Sequence, residues 1–162
     1  PLTDSKLARR FAIPSAATID ASRGCVFKCS FCTVIQVQGN KLRYRSPSLI
    51  ESYIREHYPR LNYYFFTDDN MARNPRWREL FERLIKLQNE GIYISFMMQV
   101  DVPSYKLPEF VDLAAKAGCI QVFIGLESLN QENLKAAEKN QNQTDKFAEM
   151  RNAWHSKGIV VH

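Results

Sequence analysis

Apolar runs suited to β-strands begin near residues 62, 92, 120 and 159, and a helical pattern separates each from the next. That spacing, about 30 residues, is the length of one βα unit. Nothing else in the chain limits its fold so tightly. Successive βα units joined by right-handed crossovers make an α/β fold with a parallel sheet, either doubly wound or curled toward a barrel. The strands are read at "AATID", "LNYYFF" (61–66), "IYISFMMQV" (92–100) and "CIQVFIGL" (119–126), with "GIVVH" opening a fifth. The 119–126 run is nearly all apolar, as expected of a parallel strand covered on both faces. The helices between carry their own signals. "SPSLIESYIREHY" offers Ser46 as cap, Pro47 at the first helical position, and Leu49, Ile50, Tyr53 and Ile54 on one face. "NPRWRELFERLIKLQNEG" offers Asn74 as cap and a stripe of Trp77, Leu80, Phe81, Leu84 and Ile85, ending at Gly91. "LPEFVDLAAKAG" stops at Gly118, and a last helix carries Phe147, Met150 and Trp154 before Gly158.

At 162 residues the chain is long enough for one domain with a real core. That domain is assigned to residues 15–162, and residues 1–14 to a tail or a link from a preceding domain. A chain that opens at "PLTD" and stops inside an apolar run reads as a piece of a longer protein. No apolar run approaches the roughly 18 residues of a membrane span, and no signal-peptide pattern is present. The net charge of +5 is spread among charges of both signs. Its densest basic stretch, "KLRYRS" (Lys41, Arg43, Arg45), reads as a solvated loop rather than a nucleic-acid site.

Parallel βα folds place their chemistry at the C-terminal ends of the strands. Here that edge carries Cys25, Cys29 and Cys32 after the first strand, and Asp68, Asp69 and Asn70 after the second. Gln99 and Asp101 follow the third, and Glu127 and Ser128 the fourth. Asp and Asn are turn formers, and each alone says little. Recurring four times at one edge, such groups outline a site. Four cysteines without a secretory signal, three of them clustered, point to a reducing, cytoplasmic compartment and a metal centre. Structural zinc wants four protein ligands. Cys119 starts a strand at the opposite end, and His57, His155 and His162 are distant in sequence. An iron–sulfur cluster held by three cysteines explains the missing fourth, because one iron stays open for a substrate or cofactor. The rival is a zinc-bound structural or nucleic-acid-binding module, which leaves the βα repeat and the polar edge unexplained.

The spacing C-x3-C-x2-C with an aromatic before the last cysteine, "CVFKCSFC", resembles the radical S-adenosylmethionine enzymes. "RGC", "YRSP", "FFTDDN", "VFIGLES" and "KNQN" are similar to members that carry a cobalamin-binding domain ahead of the radical core, and the resemblance covers almost the whole chain. It implies a partial barrel of six βα units, with four units and the start of a fifth strand present here. It implies a 4Fe–4S cluster on Cys25, Cys29 and Cys32, with Phe31 beside the adenine of S-adenosylmethionine. Thr67, Asp68, Asp69 and Asn70 fall where many members have Gly-Gly-Glu, which binds the methionine amino group; the glycines are absent here. Gln99 and Glu127 match positions that reach the ribose or nearby, and Lys139 falls near a basic position that pairs with the methionine carboxylate. The implied reaction is reductive cleavage to a 5′-deoxyadenosyl radical, used to methylate, cyclise or rearrange a small organic substrate. Cobalamin would sit on a domain outside this chain, and an electron donor such as flavodoxin or ferredoxin would feed the cluster. A methylthiotransferase acting on RNA or protein is the alternative within the superfamily. Met97, Met98, Cys119, Trp77 and Trp154 are read as core packing.

Overall fold

The computed structural model describes residues 15–162, so the reading of residues 1–14 as a tail or link lies outside the described residues. Strands β1 (Ala16–Ile19), β4 (Tyr63–Phe66), β5 (Ser95–Val100), β6 (Cys119–Ile124) and β7 (Val160–Val161) form one sheet in that order. Every neighbouring pair is parallel. β2 (Ser22–Arg23) and β3 (Arg43–Tyr44) make a separate antiparallel ribbon. The helices are α1 (Val34–Val37), α2 (Pro47–His57), α3 (Trp77–Asn89), α4 (Phe110–Ala117), α5 (Gln131–Ala136) and α6 (Phe147–His155). This is the α/β parallel architecture that the 30-residue period requires, an open partial barrel. Among the described residues no helix is long and apolar enough to cross a membrane.

The core lies between the sheet and its helices. Tyr64, Phe66, Phe96, Met98, Val122 and Ile124 turn one way and are buried against Ile50, Ile54, Leu80, Leu84 and Ala114. A chain of rings ties the layers together. Phe66 meets Phe96 edge-on at 5.2 Å between centroids, Phe81 lies 6.1 Å from Phe96 and 5.4 Å from Phe110, and Phe110 meets Trp154 at 6.0 Å. Burying each such side chain contributes about 1.5–3 kcal/mol relative to leaving it exposed.

The opposite, concave face of the sheet is only partly covered, which corrects one expectation. β6 is not covered on both faces: Ile120 and Phe123 are 40% and 39% exposed. The β5–β6 register shifts between Phe96 and Met97, where Phe96 pairs with Cys119 and Met97 with Gln121, so Ile120 is an extra residue without its own partner. The apolar run therefore reflects a half-open barrel wall.

Three helix details also differ from expectation. Leu49 is exposed, because the stripe of Pro47, Ile50 and Ile54 faces the sheet and Leu49 lies a step around the helix. Ser46 stands at the N-cap, but its hydroxyl meets Ser48 Oγ instead of a helix amide. α3 begins later than expected, at Trp77, and Asn74 caps the turn that leads into it, its side-chain oxygen accepting from Arg76 N–H at 2.9 Å. Met98, Cys119 and Trp154 are buried and Trp77 is packed against the core. Met97 is half-buried on the concave side, where its sulfur accepts from the Tyr63 hydroxyl.

Candidate active site

The segment after β1 runs through the β2–β3 ribbon, which closes the base of the cysteine loop. The ribbon is fastened by Asp20, whose carboxylate accepts from Arg23 Nε at 2.9 Å and Arg45 Nη2 at 3.0 Å. Arg45 of the basic stretch is thus ion-paired, and Lys41 and Arg43 are exposed. Gly24 enters the loop at φ +93°, and a Cβ there would sit 2.8 Å from the Lys41 carbonyl oxygen. Only glycine suits that position.

The two aspartates after β4 hold this entry in different ways. Asp68 is fully buried and accepts from Ala21 N–H at 2.8 Å and from the Ser22 hydroxyl. Burial pushes its carboxyl up to about 6, against the lowering effect of those hydrogen bonds. Asp69 accepts from Gly24 N–H at 2.9 Å and remains at the surface of a cavity.

That cavity, of about 400 Å³, lies at the C-terminal ends of the strands and takes in all three clustered cysteines. Asp69 and Asn70 line it after β4, Gln99 and Asp101 at the end of β5, and Glu127 after β6. Phe31, Lys139 and Gln141 complete its lining on the side of the cysteine loop. Of the residues expected from the sequence, Thr67 and Asp68 do not line it. The exposed Thr67 hydroxyl donates to the Ile19 carbonyl at 3.4 Å, and Asp68 is committed to the loop. Gln99 is joined to the same frame, its amide donating to the Asp68 carbonyl at 3.2 Å.

Lys139 is buried and lies 2.5 Å from the Glu127 carboxylate, whose residue adopts φ +62°. A buried ammonium needs such a partner. The pair crosses directly over Gly125: a Cβ there would fall 2.5 Å from Glu127 Oε1 and 2.7 Å from Lys139 Nζ. The same ammonium stands 5.6 Å from the centre of the Phe31 ring, which is 52% exposed.

Sequence reasoning missed the second anchor of the site. Arg73 donates from Nε to Asp101 Oδ2 at 2.6 Å, and its guanidinium lies 5.5 Å from the Phe27 ring, between the first two loop cysteines. Asn70 donates to the same carboxylate oxygen at 3.1 Å. Arg73 lies in a 3-10 turn, Met71–Arg73, with no spacing that marks it. Gln141 falls within the "KNQN" stretch and so was legible in principle.

The donor set fits an iron–sulfur cluster. Three thiols from one loop open into one cavity, and the fourth, Cys119, is buried at the start of β6 with its thiol pushed up to about 12 by desolvation. The Cys25 thiol is raised chiefly by burial, with the nearby Asp69 adding to the shift. Among the described residues no three His, Cys, Asp or Glu side chains close on a single metal ion.

A family model described as the radical SAM superfamily matches residues 19–161. The chain is 33% identical over 149 residues to the bacteriochlorophyllide d C-12(1)-methyltransferase of Chlorobaculum tepidum, across 87% of this chain and 31% of the relative. It is 27% identical over 154 residues to the hopanoid C-2 methylase of Rhodopseudomonas palustris, across 89% of this chain and 28% of the relative. The chain thus spans less than a third of the length of these relatives. Among solved structures, it matches the radical S-adenosylmethionine methyltransferase TsrM from Kitasatospora setae, with tryptophan substrate and aza-SAM bound. The TM-score is 0.74 at 19% identity, over 91% of this chain and 29% of that one. It also matches the cobalamin-dependent S-adenosylmethionine radical enzyme OxsB, with aqua-cobalamin and S-adenosylmethionine bound. There the TM-score is 0.73 at 20% identity, over 91% and 23%. At such identities the likeness is one of fold.

Proposed function

The chain belongs to the radical S-adenosylmethionine superfamily, and from that premise we propose that it carries the cluster-binding part of a cobalamin-dependent methyltransferase acting on a small organic substrate. The observation that carries the reading is the convergence of three loop thiols with carboxylate and amide side chains on one cavity at the strand ends. The methyltransferase and methylase relatives favour methylation over cyclisation or rearrangement, and the likeness to one cobalamin-dependent fold supports a place for cobalamin.

When bound, a 4Fe–4S cluster supplies the electron that cleaves S-adenosylmethionine, and cobalamin held elsewhere in the protein supplies the methyl carrier. Cys25, Cys29 and Cys32 hold the cluster. Asp69 and Asn70 offer oxygen acceptors to the methionine ammonium, replacing the Gly-Gly-Glu of other members. Gln99 and Glu127 reach toward the ribose hydroxyls, and the exposed Phe31 ring gives the adenine a flat apolar neighbour. Lys139 meets the methionine carboxylate while still neutralising Glu127, so one ammonium serves two carboxylates. Thr67 and Asp68 take no part in binding; Asp68 fixes the loop that carries the thiols. The chain's contribution is orientation and exclusion of water, with the reacting groups held by the cavity walls. An external one-electron donor completes the reaction.

Anaerobic reconstitution with iron and sulfide tests this directly. The chain should take up about four irons, as a three-cysteine cubane requires. Replacing Cys25, Cys29 or Cys32 by alanine should abolish the visible absorption of the cluster, whereas Cys119→Ala should retain it. A chain that needs Cys119 equally, or binds zinc and no sulfide, would overturn the reading.

A further inference from the structure

The turn between α5 and α6 touches three consecutive residues of the cysteine loop. Ala137 O accepts from Ser30 N–H at 3.1 Å, Lys139 stands over the Phe31 ring, and Gln141 Nε2 lies 3.6 Å from Cys29 Sγ. The turn has a fixed backbone of its own. Asn142 is fully buried and donates to the carbonyls of Gly125 and Leu126 at 2.8 and 3.1 Å, and Gln131 Nε2 donates to Asn142 O at 3.1 Å. Gln141 therefore approaches the sulfur from a held position. A separation of 3.6 Å suits an N–H donor and an acceptor as large as sulfur. Cys29 is also the one buried thiol of the three, so water competes least for its sulfur.

A thiolate bound to iron gains negative charge when the cluster takes up an electron. A donor fixed on that sulfur favours the reduced form, and hydrogen bonds to sulfur are one of the levers that set cluster potentials. We propose that Gln141 is a positioning residue that orients the Cys29 sulfur and raises the reduction potential of the iron–sulfur centre. The inference rests on the cluster reading above and assigns to Gln141 a role separate from S-adenosylmethionine binding.

The test compares wild type, Gln141→Leu and Gln141→Glu, each reconstituted anaerobically with iron and sulfide. Iron is counted first. Each chain is then titrated with dithionite and mediators while the paramagnetic signal of the reduced cluster is followed. All three should hold equal iron. At a fixed poise the ratio of reduced to oxidised cluster should fall about three- to tenfold in Gln141→Leu, tenfold being about 59 mV for a one-electron couple. It should fall further in Gln141→Glu, which adds a negative charge. Gln143→Leu, at an exposed neighbouring glutamine, should keep the wild-type potential. Equal potentials in wild type and both Gln141 variants, at full iron content, would overturn the role of Gln141 and leave the cluster reading standing. A wild-type chain that takes up no iron would overturn both.

Discussion

Asp68 and Asp69 are adjacent, chemically identical and put to different uses. One is sealed behind the cysteine loop, and the other faces the cavity. The Asp68 carboxyl sits at about 6, above its ordinary value of 3.8, chiefly because burial penalises its charge. The folded chain therefore holds this proton more tightly than the unfolded chain. Stability from this group is full below about pH 4 and is lost as pH rises through 6, by ~3 kcal/mol for two pKa units. Asp68→Asn keeps an acceptor for Ala21 N–H and cannot ionise, so its urea midpoint should vary less between pH 4 and 7 than that of wild type. Identical pH slopes would show that Asp68 does not titrate in this window. "TDDN" is legible in the sequence as a polar strand end. Which of its two carboxylates turns inward depends on Ala21 and Ser22, some 46 residues away, and no local pattern announces that.

At the scale of elements, the 30-residue period placed β4 to β7, and the apolar run ahead of the cysteines placed β1, because burial of alternate residues writes itself into the sequence. Capping was less legible. Ser46 and Asn74 have the right chemistry, yet Ser46 finds Ser48 and Asn74 caps the preceding turn, since a short polar side chain takes whichever donor lies nearest. The glycine stops were clearer, and they differ in what they tolerate. Gly118 ends α4 at φ +102°, and a Cβ there would lie 2.4 Å from the Ile94 carbonyl oxygen, where the chain enters β5. Gly91 has φ +82°, and a Cβ there would meet nothing within 4 Å. Gly91→Ala should therefore cost about 1 kcal/mol, the conformational penalty alone. Gly118→Ala should cost about 1–3 kcal/mol more, because backbone must move as well as twist. Urea unfolding of the two variants separates these terms, and equal losses would refute the steric part.

For the molecule as a whole, helices cover one face of the sheet and leave Phe123 and Val160 exposed on the other, beside the half-buried Phe65 and Tyr63. The sequence pattern did not reveal this openness, because an apolar residue on an uncovered wall reads the same as one in a closed core. These exposed apolar side chains should let the chain associate as its concentration rises, and Val160→Lys, which charges that face, should shift light scattering toward monomer. A variant that associates as strongly as wild type would place the contact elsewhere. The clasp on the cysteine loop has a consequence in time. Gln141 follows Cys29 by 112 residues, and at ribosomal rates of about 5–20 residues per second that gap is roughly 5–20 seconds of synthesis. During that interval the three cysteines exist as an open loop with no turn to grip them. Iron and sulfide delivered then would meet a loop still free to move; delivered later, they meet thiols already set in the cavity wall.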